Sequence, residues 1–496
     1  MAKLLQELLF LLPEAEIQGL TDIVIEDIVD DSRRVKPGSL FLCLTGHKVD
    51  GHRYIQQAYE SGAVAVLVEK SVVVPPGMTV IKVLDTRKAM QEVTPFFCDY
   101  PSRAMRLIGV TGTNGKTTTT HLIRAILMEA GYKVGLIGTI HALIGDQVRP
   151  VRNTTPDVVE MQEMLAEMVA LGIQYVVMEV SSHALELERT AGCEFDTAVY
   201  TNLSQDHLDF HGTVDKYFQA KMKLFTGLNN NLSAKSSKHA IINANDFYAK
   251  PLMLACSCPV ISYGANGEGE LQAHDISVRA DGVCFKVTGT FGDMLLKMKI
   301  TGLFNVYNTL AAIGTALAEG LDPWIIQQAL ERFQTVPGRF ELVDEGQPFT
   351  VIIDYAHTPD GLENILQTAR QFAEKRIITI FGCGGDRDKT KRPLMGRLAC
   401  QYSDVIIATS DNPRSEDPLD ILQDIEKGIK ETLTAEKQYV AIPDRRSAIK
   451  QGIEIAAPRD IVIIAGKGHE TYQILKDKTI QFDDSEVARS LIKELR

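Results

Sequence analysis

The chain has 496 residues, a formal net charge of −12 and eight cysteines, with 45% hydrophobic and 23% charged residues. That length predicts about three domains at ~150 residues each, in a globular protein with several cores. The acidic balance argues against nucleic acid or an anionic membrane surface as partner, and leaves room for a local basic pocket that takes an anionic small molecule.

In chain order, MAKLLQELLFLLPEAEIQ predicts an amphipathic opening helix and no secretory signal. Gln6 and Glu7 interrupt the apolar stretch, Pro13 ends it, and no small-residue cleavage site follows. No stretch reaches the ~20 apolar residues of a membrane span, so membrane insertion is not expected. SLFLCLTG and AVAVLVEK read as strands around a helix HRYIQQAYESG, and CDYPSRAM, with Pro101, reads as a linker. RLIGV, a Gly-rich loop, the helix KTTTTHLIRAILMEAG and KVGLIG then form a βαβ unit. YVVMEV and DTAVYTN continue the strands, HDISVRADGVCFKVTG alternates as β-structure, and NVYNTLAAIGTALAEG is helical. TVPGR, Thr335 to Arg339, predicts a second junction, and FTVIIDYA, RIITIFG, DVIIATS and DIVIIAG are four apolar strands ending in polar loops. The expected fold is α/β, with three domains over residues 1–104, 105–337 and 338–496, and ligands at the carboxyl ends of the strands. Cys256 and Cys258 are close in sequence but lack the further ligands of a zinc site. Buried free thiols in a reducing compartment are expected.

The loop GVTGTNGKTTTT resembles a phosphate cradle with unusual spacing. Five residues separate Gly109 from Gly115, and two separate Gly112 from it. Its strand–loop–helix context gives Gly112 and Gly115 backbone N–H groups facing phosphate, Lys116 as the cation and Thr117 as an Mg²⁺ hydroxyl. The chain has no Asn-Lys dipeptide for reading guanine, so ATP is the expected nucleotide. Glu179, near the end of YVVMEV, suits a second hard oxygen ligand for Mg²⁺. Asp206, His207, Asp209 and His211 cluster in NLSQDHLDFHG, and residue chemistry alone leaves their role open.

TGTNGKTT, MEVSSHAL, TNLSQDHLDFHG, GLFNVYNTLAA, VPGRFE and DYAHTPDGL together resemble the Mur ligases of peptidoglycan synthesis. DSRRVKPGSLFLCLTG, NTTP, FGCGGDRDKTKRP, DNPRSEDP and GKGHE narrow the resemblance to the diaminopimelate-adding branch. The resemblance implies an N-terminal α/β UDP-binding domain, a central P-loop ATPase-type domain whose parallel sheet is joined by a smaller β-sheet, and a C-terminal Rossmann-like domain. It implies ATP-dependent ligation of meso-2,6-diaminopimelate to UDP-N-acetylmuramoyl-L-alanyl-D-glutamate through an acyl phosphate, by a cytoplasmic monomer. By the same resemblance Gly112, Thr113, Asn114, Gly115, Lys116, Thr117, Thr118, Asn308, Arg339 and Asp354 contact ATP. Thr117, Glu179, His207 and Lys221 hold Mg²⁺, and Lys221, in YFQAKMKLF, is carbamylated by CO₂. Lys223, two positions away on another helix face, cannot substitute for it. Ser32, His47, Lys48 and Val49 match the uridine-diphosphate site. Asn153, Thr154, Thr155, Ser181 and Arg189 match the muramoyl-dipeptide site, where Leu187 stands at a position that is polar in some relatives. Arg387, Asp411, Asn412, Pro413, Arg414, Gly466 and Glu470 match the diaminopimelate site. The rival readings are a lysine-adding relative, a folylpolyglutamate synthetase-like ligase and a non-catalytic ATP-binding switch.

Overall fold

The computed structural model describes residues 2–46, 49–145, 147–229, 237–265 and 267–495. The chain forms two compact units: Met1–Gly109, Tyr132–Asp196 and Asn230–Lys238 in the first, and Val110–Gly131, Thr197–Asn229 and His239–Arg496 in the second.

The first unit contains a five-stranded sheet in the order Glu16–Gln18, Thr79–Lys82, Ala65–Val68, Ser39–Leu42, Asp27–Val29. It is parallel except for its first strand. Residues along Ser39–Leu42 alternate between two cores. Leu40 and Leu42 join Leu5, Ile81 and Val93 on one face, while Phe41 joins Val29, Ile55 and Val80 on the other. The opening segment forms the expected amphipathic helix over part of its length only. Lys3–Leu4 pairs with Val24–Ile25, the helix is only Leu5–Leu9, and Glu16–Gln18 joins the sheet edge. Leu5 and Leu8 are its buried positions, so the apolar run anchors a short turn against the sheet. The same unit carries the parallel pair Val134–Ile137 and Tyr175–Glu179, with helix Val158–Ala170 between them in sequence.

In the second unit the parallel strands Thr197–Tyr200, His239–Asn243, Val260–Ala265 and Leu271–Arg279 continue into the antiparallel Gly282–Gly289 and Gly292–Met298. Its C-terminal part is a six-stranded sheet in the order Glu341–Val343, Thr350–Asp354, Ile461–Ala465, Ile377–Phe381, Val405–Ala408, Gln438–Ala441. The four expected apolar strands are its centre. The two edges were not legible, because Gln438–Ala441 is largely exposed and Glu341–Val343 is only three residues long. Helices Pro359–Phe372, Lys391–Tyr402 and Pro418–Thr432 cover one face, and Arg445–Glu454 and Asp484–Glu494 the other. Among the described residues no helix is long and apolar enough to cross a membrane. No disulfide joins any of the eight cysteines, and Cys193, Cys256, Cys258 and Cys284 are half-buried rather than buried.

Candidate active site

In the first unit, Glu179 ends its strand fully buried, and its carboxylate accepts from the Thr139 N–H (2.8 Å) and the Thr139 hydroxyl (2.9 Å). Thr154 Oγ1 lies 3.1 Å from Thr139 Oγ1. Thr155 donates to the Glu179 carbonyl at 2.9 Å and accepts from the Ser181 N–H at 3.0 Å. Ser181 in turn caps the helix Ser182–Glu186. Thr154, Thr155, Glu179 and Ser181 thus form one polar constellation at a strand end. Arg189 stands 3.9 Å from Asp157, and Asn153 is exposed. Leu187 keeps its apolar side chain 39% exposed while its carbonyl accepts from Gln91. Ser32 is buried and hydrogen-bonds Gln57 at 3.1 Å. Val49 is exposed, and His47 and Lys48 lie outside the described residues.

In the second unit, the loop before helix Lys116–Glu129 is held by the segment Thr201–Ser204. Thr113 N–H donates to the Asn202 carbonyl and Asn114 N–H to Asn202 Oδ1, both at 2.9 Å, and Thr201 donates to the Asn114 carbonyl at 2.6 Å. The two glycines are sterically required. A Cβ at Gly115 (φ +85°) would sit 2.3 Å from Asn308 Oδ1, and one at Gly112 would sit 1.8 Å from Thr201 Oγ1. Lys116 Nζ lies over the loop, 2.9 Å from the Gly112 carbonyl and 2.8 Å from that of Thr113. Thr117 and Thr118 are buried, and Arg339 donates to the Thr117 hydroxyl at 2.9 Å. Arg339 also stacks 4.6 Å from the Tyr355 ring. Asp354 accepts from the N–H groups of Phe340 (2.7 Å) and Ala356 (2.8 Å). Burial pushes its carboxyl up to about 6, against the pull of Arg339 and these donors. Gly112 to Thr118, Asn308, Arg339 and Asp354 therefore belong to one region.

Lys221 joins that region from helix Val214–Thr226. It is 2% exposed, donates to the Gly112 carbonyl at 2.8 Å and lies 4.4 Å from the Tyr217 ring centre. Burial, then the nearby charge of Lys116, hold its ammonium well below the ordinary lysine range. Lys223 points to solvent. His207 has φ +54°, with Nε2 3.4 Å from the Asp206 carboxylate. Burial would raise Asp206, but His207 and Lys391 outweigh it and keep the carboxyl ionised.

Further along, Asn412 accepts from the Ile474 N–H (2.9 Å) and donates to Glu470 Oε2 (2.8 Å), which also accepts from the fully buried Lys467 (2.8 Å). Asp411 accepts from the Asn412 N–H at 2.6 Å, and Gly466 adjoins it (a Cβ there would meet Asp411 Oδ2 at 2.6 Å). Pro413 packs its carbonyl against Gly385. Arg414 donates Nη1 to the Gly385 carbonyl at 2.8 Å, and its Nε and Nη2 edge has no protein partner among the described residues. Arg387 is exposed on the adjoining loop, bonded to the Asp386 carbonyl.

Several residues of these regions escaped the sequence reading. Tyr217 meets Thr113 at 3.1 Å, Asp360 accepts from Asn114 at 2.5 Å, and Lys391 stands 4.0 Å from Asp206. His357 donates Nδ1–H to the Tyr355 carbonyl at 2.8 Å, and burial and then Lys391 push it down to about 4. His357 and Asp360 lie in DYAHTPDGL and Lys467 in GKGHE, stretches whose other residues were singled out. A lone lysine between glycines reads as solvated until its burial is seen.

Family models match along the chain: the Mur ligase family, catalytic domain at residues 25–97, the Mur ligase middle domain at 110–316, and the Mur ligase, glutamate ligase domain at 338–468. A UDP-N-acetylmuramoyl-L-alanyl-D-glutamate–2,6-diaminopimelate ligase from Syntrophomonas wolfei subsp. wolfei is 48% identical over 475 residues, 96% of each chain. The chain belongs to the Mur ligase family. A relative of the same name from Geobacillus thermodenitrificans is 48% identical over 99% of this ligase and 100% of its own length. A solved structure of that name matches the ligase with a TM-score of 0.68 at 32% identity, covering 100% and 99% of the two chains. The Thermotoga maritima MurF ligase in complex with ADP shares the fold at a TM-score of 0.65 and 17% identity, covering 95% of this chain and 96% of its own.

Proposed function

We propose that this ligase joins meso-2,6-diaminopimelate to the D-glutamyl γ-carboxylate of UDP-N-acetylmuramoyl-L-alanyl-D-glutamate at the expense of ATP. The 48% identity to the diaminopimelate-adding ligase over nearly the whole chain carries the reading. Residues 1–104, 105–337 and 338–496 act as UDP-binding, ATP-binding and amino-acid-binding domains, working as a monomer in the cytoplasm, where ATP and the UDP-linked precursor are available.

A carboxylate is a poor electrophile with a poor leaving group, and phosphorylation cures both faults. The γ-carboxylate oxygen attacks the γ-phosphorus of ATP, ADP leaves, and an acyl phosphate results. The free amine of diaminopimelate then attacks the acyl carbon, phosphate departs with the C–O electron pair, and the new amide nitrogen gives up its proton. Little of this requires covalent help from the protein, so positioning and charge stabilisation dominate. The loop N–H groups from Gly112 to Thr118 and the Lys116 ammonium take the phosphates, and Arg339, Asn308 and Asp354 hold the nucleotide. Thr154, Thr155, Ser181 and Arg189 hold the dipeptide, with Asn153 and Leu187 beside them, and Ser32 and residues 47–49 take the uridine diphosphate. Arg387, Asp411 to Arg414, Gly466 and Glu470 take diaminopimelate.

No cluster of three or more His, Cys, Asp or Glu able to cage a metal occurs among the described residues. Mg²⁺ needs no such cage, since it keeps waters and phosphate oxygens and uses one or two protein oxygens. The Thr117 hydroxyl and the Glu179 carboxylate are suitable donors, with His207 and a carbamylated Lys221 completing the proposed set. When bound, Mg²⁺ neutralises phosphate charge. Carbamylation fits the depressed Lys221, because CO₂ adds to the neutral amine.

Product mass tests the reading. Incubation with ATP, UDP-muramoyl dipeptide and diaminopimelate should give one new species, heavier than the dipeptide by diaminopimelate less water. Recovery of the dipeptide unchanged by an ATP-binding protein would overturn it.

A further inference from the structure

In the C-terminal sheet, Ile377–Phe381 lies between Ile461–Ala465 and Val405–Ala408. The outer two lead into Gly466–Glu470 and Asp411–Arg414, so those segments leave the sheet on either side of an intervening strand. One buried guanidinium spans the gap. Arg445, the first residue of helix Arg445–Glu454, donates Nη1 to the Ser410 carbonyl at 3.2 Å and Nη2 to the Ala465 carbonyl at 3.1 Å. Ser410 and Ala465 immediately precede Asp411 and Gly466. Asp484, the first residue of helix Asp484–Glu494, holds the guanidinium side-on, at 2.7 Å from Nε and 2.6 Å from Nη2. Neither side chain of this pair is exposed.

Stability gives a weak reason for such a pair, since well-packed apolar residues of similar volume commonly serve as well or better. An apolar pair cannot, however, bind two strand-end carbonyls at once. A lysine could not reproduce the arrangement either, because it lacks the planar fork that faces a carboxylate and two carbonyls together.

We propose that Arg445, oriented by Asp484, is a positioning residue for the amino-acid site. It fixes the spacing of Asp411–Arg414 and Gly466–Glu470, and so sets the affinity for the incoming diamino dicarboxylic acid. This rests on the assignment of those segments to diaminopimelate. An amino acid gripped at both ends by groups on two segments needs their separation held to about 0.5 Å. Asn412 meets Glu470 (2.8 Å) and Lys467 (3.2 Å) through side chains that can rotate. The Asp411 carbonyl and Arg414 N–H bond to Gln473 and Ile474, beyond the second segment, whereas Arg445 ties the two backbones where the strands end.

The test compares wild type, the double variant Arg445→Met/Asp484→Leu and the single variant Asp484→Asn. The readouts are thermal stability and separate KM values for diaminopimelate, ATP and UDP-muramoyl dipeptide. The apolar pair removes both charges together but leaves the Ser410 and Ala465 carbonyls without Arg445, so Tm should fall by several degrees while the protein stays folded. The pair should raise KM for diaminopimelate at least ~10-fold while leaving KM for ATP within about twofold. Asp484→Asn, which keeps the shape and loses the charge, should shift the same KM in the same direction and serves if the double variant does not fold. An unchanged KM for diaminopimelate in a folded variant, or parallel rises in all three KM values, would overturn the positioning role. Failure of the wild type to use diaminopimelate would instead defeat the site assignment, and the comparison would then be made with the amino acid the wild type does use.

Discussion

Lys221 donates a hydrogen bond to the Gly112 carbonyl across 2.8 Å, joining a buried lysine to the glycine-rich loop. A charged ammonium there would be desolvated beside Lys116, and its pKa is driven well below the ordinary value for that reason. Burial therefore favours the neutral amine here, the form that the proposed carbamylation by CO₂ requires.

Replacing Lys221 by Ala should abolish ligation, and a short carboxylic acid such as acetate or formate should restore part of it by occupying the vacated space. The assay is phosphate release with and without the acid. Full activity of the variant without additive would remove the lysine from the mechanism.

Lys116→Ala and Glu179→Ala should each lower kcat by ~10²–10³ or more, the usual loss when a preorganised charge partner of the transition state is removed. Circular dichroism should show both variants folded. For Glu179→Ala the Thr139 hydroxyl and N–H lose their acceptor, so a modest fall in Tm accompanies the loss of rate. Near-wild-type turnover by either folded variant would contradict the phosphate-loop reading.

His357 gives a pH signature. Its folded pKa, about 4, lies below the ordinary histidine value because of burial and Lys391. The unfolded chain thus binds the extra proton first as pH falls. The contribution of His357 to stability is fully present above pH 6.5 and is lost progressively toward pH 4, on the order of 2 kcal/mol by pH 5. His357→Gln should therefore show a smaller drop in Tm between pH 7 and pH 5 than wild type. An equal drop in the two proteins would mean that the ring is not held neutral in this way.

Truncation of Arg414 addresses amino-acid choice. Its Nη1 is engaged by the Gly385 carbonyl, and the side-on edge formed by Nε and Nη2 suits the distal carboxylate of diaminopimelate. Arg414→Ala should cost 2–5 kcal/mol, by order of magnitude, in kcat/KM for diaminopimelate, as for removal of one member of a buried charged pair. It should not confer efficient use of lysine, since no anion is supplied for lysine's distal ammonium. A variant that gained lysine turnover comparable to wild-type turnover of diaminopimelate would assign discrimination elsewhere.

The phosphate loop and the four central strands of the C-terminal sheet were legible in sequence because each is a local pattern: glycines and lysine at fixed offsets, and apolar runs closed by polar residues. Arg445 and Asp484 were not, because a charged residue opening a helix normally faces water, and only the folded sheet brings 445 and 484 together. Lys391 and Asp206 are likewise 185 positions apart, and nothing local marks either as buried. The opening helix was over-read for a related reason. An apolar run without its tertiary partners looks amphipathic, while pairing of Lys3–Leu4 with Val24–Ile25 shortens it to Leu5–Leu9.

The most direct test of the central claim is the ratio of kcat/KM for meso-diaminopimelate to that for L-lysine, measured as phosphate release from ATP with UDP-muramoyl dipeptide present. Lysine lacks the distal carboxylate, and it would leave the Arg414 guanidinium facing an ammonium, so the contact is both missing and repulsive. A site built around such a polar group rejects the analogue without it by ~10⁴ or more, and that is the ratio expected here. Comparable values for the two amino acids would contradict the account and identify a lysine-tolerant ligase.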